Sequence, residues 1–301
     1  MIRPDPRDTG LVLSRVKGGI FVCPGRPICA GHRDDLQVAD VWGEKERKMK
    51  LNGKVALVTG GGTGMGRAMC LKFASEGAGV AVNYSKSQKQ AEEVAEAARR
   101  LGAPAVAIKA DVSQDQEARR LVGETVAKLG RLDILVNNAG WTRFVPHREM
   151  DKLTEEILER TWAVNTKGPL YLSRAAIPHM LKEGGGRIVN VTSIAAFQGA
   201  GSSVIYCASK AALGVITKSL ARAFAKDNIL VNAIAPGFVD THFVDWPPEV
   251  LEKNVRTSPM GRIPTVDDIA NAALFLACDA TGITAQTIFV DCGVTVLQPV
   301  G

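Results

Sequence analysis

The 301-residue chain contains no run of the roughly 20 uninterrupted apolar residues that a membrane-crossing helix needs. A membrane partner is therefore not expected. Its six cysteines stand at 23, 29, 70, 207, 278 and 292. Only the first two are neighbours, and the five residues between Cys23 and Cys29 do not match a zinc knuckle, so no metal site and a reduced, cytoplasmic protein are expected. Clustered basic residues are lacking too. The formal net charge of +6 is spread along the chain, which argues against nucleic acid as a partner, because such binding needs lysine and arginine gathered on one face. Aromatic residues make up only 5% of the chain and tyrosines number three, which makes each tyrosine worth inspecting. Hydrophobic residues still reach 46%, ample for a sizeable core.

Residues 1–49 do not resemble the remainder. They hold Pro4, Pro6, Pro24 and Pro27 among mixed charges, without a sustained hydrophobic period. The acids Asp5, Asp8, Asp34 and Asp35 argue against a transit peptide. A poorly ordered extension is expected there, with the functional domain spanning 50–301.

What the sequence does have is organised around residues 55–67. A compact apolar run, 55–59, meets glycines at 60, 61, 62, 64 and 66, and a helical pattern opens at Arg67. Strand, glycine turn and helix in that order present backbone N–H groups and a helix N-terminus to a phosphate. Any Cβ in the turn would hold the chain away from a pyrophosphate. Further strands are predicted at 79–84, 103–109, 132–137, 187–192, 229–235 and 287–290. Helices are predicted at 87–101 with Ser87 as cap, 113–129, 151–165, 168–181, 204–226 and 266–278. This alternation predicts an α/β fold: a single doubly wound Rossmann-type domain with a mostly parallel sheet of about seven strands and helices on both faces.

Tyr206 and Lys210 lie four residues apart on a predicted helix and so share a face. A phenol near pKa 10 is a poor acid at neutrality unless a nearby cation favours its phenolate. The other two tyrosines, Tyr84 and Tyr171, have Gln88 and Ala175 at that spacing. Ser193 ends a strand, where open α/β sheets place their ligands, and its hydroxyl there can hold a carbonyl oxygen. Taken alone, a core tyrosine beside a surface lysine, and a helix-cap serine, remain open readings.

These residues form a set. Thr59-Gly60-x-x-x-Gly64-x-Gly66, Asn137-Asn138-Ala139-Gly140, Ser193, Tyr206-x-x-x-Lys210 and Pro236-Gly237 occur in one order, and from about residue 50 the chain resembles the short-chain dehydrogenase/reductase family. The resemblance implies Tyr206 as catalytic acid/base, Lys210 on the nicotinamide ribose, Ser193 on the substrate carbonyl and Asn165 holding a water in a proton relay. It implies dinucleotide contacts from Gly60, Thr63, Gly64, Met65 and Gly66, and from Asp111 and Val112 at the adenine. Asn138, Ala139 and Gly140 would line the adenosine side, and Pro236, Gly237, Val239 and Thr241 the nicotinamide. The expected reaction is hydride transfer between nicotinamide and a carbonyl or secondary alcohol.

After the second predicted strand the chain reads Asn83-Tyr84-Ser85-Lys86, with no acid before Glu92. A carboxylate there would bind ribose hydroxyls and repel a 2′-phosphate. Its absence, with Asn83, Ser85 and Lys86 able to accept one, favours NADP, with NAD possible. The substrate is a small-molecule carbonyl or alcohol, and Trp141, Phe144, Phe238, Phe243, Val244, Trp246 and Val250 suggest an apolar wall, subunit contact or core. The pattern is similar to 3-oxoacyl-carrier-protein reductases and to sugar dehydrogenases, while a non-catalytic dinucleotide sensor is the competing class. A homo-oligomer, tetramer or dimer, is implied by the resemblance. Ala285-Gln286 and Asp291-Cys292-Gly293 depart from the glycines usual there. His147, His179 and His242 are expected to play structural roles.

Overall fold

The computed structural model describes residues 14–16, 19–21, 49–241 and 248–295. In the first unit, Met1–Lys48, β1 (Ser14–Val16) pairs antiparallel with β2 (Gly19–Phe21). The second unit, Met49–Gly301, holds one seven-stranded sheet. In chain order its strands are β3 (Val55–Val58), β4 (Gly79–Tyr84), β5 (Ala105–Lys109), β6 (Ile134–Asn137), β7 (Gly186–Val191), β8 (Ile229–Pro236) and β9 (Thr287–Val290).

The spatial order is β5-β4-β3-β6-β7-β8-β9, and every neighbouring pair is parallel. Strands β3, β4, β6 and β8 are buried throughout, as apolar runs without alternation require when helices cover both faces. The chain winds outward from β3 to β5, then returns to place β6 against the other side of β3. That reversal opens a crevice at the carboxyl ends of β3 and β6, where open α/β sheets bind ligands.

The helices are α1 (Gly64–Ser75), α2 (Gln88–Arg100), α3 (Asp115–Leu129), α4 (Glu155–Trp162), α5 (Gly168–Lys182), α6 (Ala195–Gln198), α7 (Val204–Phe224), α8 (Pro248–Thr257) and α9 (Val266–Cys278). Phe73, Val94 and Ile269 belong to the core on one face of the sheet, and Leu121, Leu172 and Met180 to that on the other. By length and composition α7 could cross a bilayer. Here it packs against β8 and buries Ser209, Lys210 and Thr217, as a helix of a protein core does.

Predicted helix 266–278 and strand 287–290 match α9 and β9 residue for residue. Three departures have local causes. Strand β5 starts at Ala105 rather than 103, because Pro104 has no N–H for the ladder. The helix expected over 151–165 starts only at Glu155, where the Thr154 hydroxyl accepts the Ile157 N–H. Its far end does not break before α5. A π turn, Ala163–Lys167, carries the backbone straight on into Gly168. Ser87 caps α2 by position, but its side chain makes no capping bond. Helices α6 and α8 were not foreseen.

Ala285 and Cys292 adopt left-handed backbone, with φ of 62° and 55°. A Cβ there costs about 1–2 kcal/mol, and a glycine removes that strain while adding unfolded-chain entropy of about 0.4–1 kcal/mol. Ala285→Gly should therefore raise the melting temperature by about 1–4 °C. Calorimetry on the two proteins checks this, and an unchanged or lower midpoint would contradict the strain argument.

Candidate active site

Four loops meet at the carboxyl edge of β3, β6, β7 and β8. The first is the glycine turn between β3 and α1. Gly60 and Gly64 have φ of +61° and +50°, and a Cβ on Gly66 would lie 2.1 Å from the Gly60 carbonyl oxygen. Only glycine fits there. Thr63, exposed, precedes α1 without a side-chain capping bond, and the first turn carries no acid. The N–H groups of Gly64, Met65 and Gly66 thus form a bare positive helix end, which suits a pyrophosphate. These features fit a dinucleotide.

The second loop braces the first. The Thr59 hydroxyl donates to the Val136 carbonyl at 3.2 Å and accepts the N–H groups of Asn138 and Ala139 at 2.9 and 3.0 Å. Asn138 Nδ2 returns a bond of 2.8 Å to the Thr59 carbonyl. Asn138 and Ala139 are thereby tied to the glycine turn, with the Asn138 carboxamide nitrogen turned toward the turn's own backbone.

Asn83 corrects an expectation. Its side chain is 2% exposed and fully spent: Oδ1 accepts the Gly60 N–H at 3.3 Å, and Nδ2 faces the carbonyls of Tyr84, Ile108 and Ala110. Tyr84 is buried as well. Neither side chain can receive a 2′-phosphate, because both lie within the sheet instead of beyond its end. Ser85 and Lys86, just past β4, are exposed. Asp111 Oδ1 accepts the Ser113 N–H and hydroxyl, and Oδ2 accepts Arg160 Nη1 at 2.9 Å. Burial works against its charge, but the Ser113 and Arg160 bonds win and hold the carboxyl below its usual range. Val112 packs against Gly168 at the start of α5. Arg160, 49 residues from Asp111, escaped the sequence analysis because no local pattern marks so distant a partner.

The third and fourth loops carry the chemistry. Ser193 follows β7, and its Oγ accepts the Ala195 N–H at 3.2 Å. Ser203 caps α7 by accepting the Tyr206 N–H, which fixes where the phenol leaves the helix. The Tyr206 hydroxyl meets Ser193, and Lys210 Nζ lies 5.9 Å from the Tyr206 ring centroid. Lys210, 4% exposed, donates to the Val191 carbonyl at 2.8 Å. Burial pushes Tyr206 up to about 12, partly offset by the Ser193 bond, and burial pulls Lys210 down to about 8. Desolvation dominates both groups, and Lys210 spends a proton on the Val191 carbonyl.

Asn165 lies in the π turn and is 0% exposed. Oδ1 accepts the Trp141 N–H at 2.8 Å, while Nδ2 donates to the Trp141 carbonyl at 2.9 Å and to Ser209 Oγ at 3.1 Å. Both amide protons are used within the protein, so its carboxamide acts as a clamp on Trp141. From β8, Pro236 accepts the Ile194 N–H and Gly237 donates to Val290. Val239 packs on the core, and the Thr241 side chain lies where a Cβ on Gly64 would approach it to 3.4 Å. Trp141 and Val250 are half-buried, whereas Phe144 is exposed. Phe243, Val244, Trp246, His242, Cys23 and Cys29 lie outside the described residues. Among the described residues no cluster suited to a metal forms.

A protein-family model described as Enoyl-(Acyl carrier protein) reductase matches residues 60–295. An oxidoreductase of Thermotoga maritima is 41% identical over 255 residues, covering 82% of this chain and 99% of that protein. The 3-oxoacyl-[acyl-carrier-protein] reductase FabG of Staphylococcus aureus is 39% identical over 246 residues, covering 80% and 97%. Among solved structures, a short-chain alcohol dehydrogenase of Sinorhizobium meliloti superposes with a TM-score of 0.77 at 33% identity, covering 82% and 98%. A 7α-hydroxysteroid dehydrogenase complexed with NADH and 7-oxo glycochenodeoxycholic acid superposes with a TM-score of 0.76 at 34% identity, covering 82% and 96%.

Gly66→Ala places a methyl group against the Gly60 carbonyl and Asn138. It should weaken dinucleotide binding by about 100-fold or more, because a misplaced backbone forfeits several phosphate bonds together. Fluorescence titration with NADPH and NADH reads this. Wild-type affinity would show that the turn does not hold the cofactor.

Proposed function

The chain belongs to the short-chain dehydrogenase/reductase family and is an oxidoreductase acting on carbonyl or CH–OH groups, and on that premise we propose an NADP-dependent reductase of a ketone or 3-oxoacyl substrate. The observation that carries the reading is the convergence of Tyr206, Ser193 and Lys210 at the carboxyl end of β7, on the same edge of the sheet from which the glycine turn leaves β3.

The nicotinamide, when bound, supplies the hydride. Ser193 and Tyr206 hold the substrate oxygen between two hydroxyls, so that charge developing on it meets preorganised donors. Tyr206 delivers its phenolic proton to that oxygen. Lys210 is held by Val191 on the same helix face as Tyr206, ready to bind the ribose and favour the phenolate that proton transfer leaves. Gly60, Thr63, Gly64, Met65 and Gly66 hold the pyrophosphate, Asp111 and Val112 the adenine, and Asn138, Ala139 and Gly140 the adenosine wall. Pro236, Gly237, Val239 and Thr241 flank the nicotinamide. Ser85 and Lys86, exposed where no acid stands, receive the 2′-phosphate.

On this reading the half-buried Trp141, in the loop after β6, is assigned to an apolar wall beside the substrate carbonyl. The FabG relative supports a 3-oxoacyl thioester among the candidates. A homo-oligomer is supported by the exposed side chains Val204 and Val215 on α7 and Leu170 and Leu181 on α5, and sedimentation equilibrium reads it directly. Residues 1–49 are proposed to form an extension outside the catalytic machinery.

Tyr206→Phe removes the proton donor and keeps the ring. Turnover of ketones, 3-oxoacyl thioesters and sugars with NADPH should fall by about 100-fold or more, with NADPH affinity nearly unchanged. Near-normal turnover would remove the mechanism, and a higher kcat/KM with NADH than with NADPH in the wild type would overturn the cofactor assignment.

A further inference from the structure

Two hydrogen bonds join the π turn, Ala163–Lys167, to α7 among the described residues, and both end on Ser209. The Ser209 hydroxyl accepts from Asn165 Nδ2 at 3.1 Å and donates to the Tyr206 carbonyl at 2.8 Å. The Ser209 carbonyl accepts the Thr166 hydroxyl at 3.2 Å. Asn165 in turn grips both the N–H and the carbonyl of Trp141. A continuous chain of hydrogen bonds thus runs from the backbone of Tyr206 on α7 to the backbone of Trp141 in the loop after β6. Ser209 and Asn165 are both 0% exposed, so no water relieves either when a partner is lost.

A serine inside a helix often bonds back to a carbonyl one turn earlier, and that alone carries no function. Here the oxygen also accepts from a second element, and that element clamps a third. We propose that Ser209 is a positioning residue that sets the distance between the Tyr206 phenol and the loop at Trp141 after β6. The proposal rests on the reading of Tyr206 as the acid/base. Without the hydroxyl, one Asn165 N–H is left buried and unpaired, and the clamp on Trp141 rotates to recover a partner. The substrate carbonyl then loses its alignment with Tyr206, while the glycine turn, braced separately through Thr59 and Asn138, keeps its hold on the dinucleotide.

The test compares Ser209→Ala with Thr217→Val, which also deletes a buried α7 hydroxyl, one bonded to the Leu213 carbonyl and Asn190. Two readings are taken: steady-state kinetics with NADPH and a 3-oxoacyl thioester, and amide hydrogen exchange of the cofactor-free proteins by mass spectrometry. Ser209→Ala should lower kcat by about tenfold with KM for NADPH within about twofold, since small misplacements of reacting groups cost rate before cofactor affinity. It should also speed exchange in the peptide holding the Trp141 N–H by about tenfold or more. Thr217→Val should lower the melting temperature yet leave kcat and Trp141 exchange as in the wild type. Ser209→Cys, which keeps a weak donor of similar size, should recover part of both losses. It also replaces the alanine variant should that fail to fold. Equal loss of kcat in Ser209→Ala and Thr217→Val, or unchanged Trp141 exchange in Ser209→Ala, overturns the proposal. Should Tyr206→Phe keep its turnover, the acid/base reading fails instead, and Trp141 exchange still decides whether Ser209 holds the clamp.

Discussion

One hydroxyl sets the crevice on which the rest of the site depends. Thr59 Oγ1 donates once and accepts twice, which is the full capacity of a serine-type oxygen, and its three partners all belong to β6 and the loop after it. Parallel strands at a switch point diverge once their ladder ends. Thr59 continues the pairing for one more step beyond β3, and Asn138 returns the bond. The glycine turn is then pressed so closely on its surroundings that Gly66 lies against Gly60, and Gly61 lies over Cys70 and Val82. The geometry that bares the N-terminus of α1 follows from this brace.

A second set of buried polar contacts joins the sheet to α7 beyond the turn that carries Tyr206 and Lys210. Asn137 donates to Asn190, Asn190 to Thr217, and Thr217 to the Leu213 carbonyl, which tie β6 to β7 and β7 to α7. Lys210 adds a charged member by reaching Val191. Burying an ammonium is costly, as its lowered pKa of about 8 records. The same burial raises Tyr206 to about 12. A neutral phenol and a strained cation are thus held at the same edge of the sheet, and a charged ligand entering the crevice changes the balance for both.

Much of this was legible in the sequence. Apolar runs marked the strands, and Gly60, Asn138 and Ser193 do follow the ends of β3, β6 and β7. Local spacing gave Tyr206 and Lys210. What could not be read was whether a polar side chain faces outward or inward at a strand's last residues. Asn83 and Ser85 are two positions apart, yet one is sealed beneath the turn and the other exposed. Arg160 and Ser209 were missed for a related reason: their partners come from elements 49 and 44 residues away, which no helical or strand period encodes. Spacing puts Lys210 near Tyr206 but is silent on the desolvation that both groups meet.

The π turn at Ala163–Lys167 has a further consequence, one of phase. Each residue advances an α-helix by about 100°, so a five-residue turn inserted between α4 and α5 shifts the angular register of everything that follows. Deleting one residue there would yield a smoother rod but swing Leu172, Ala176 and Met180 off the sheet. The irregularity is what lets a single unbroken cylinder present Asn165 to one neighbour and its apolar side to another.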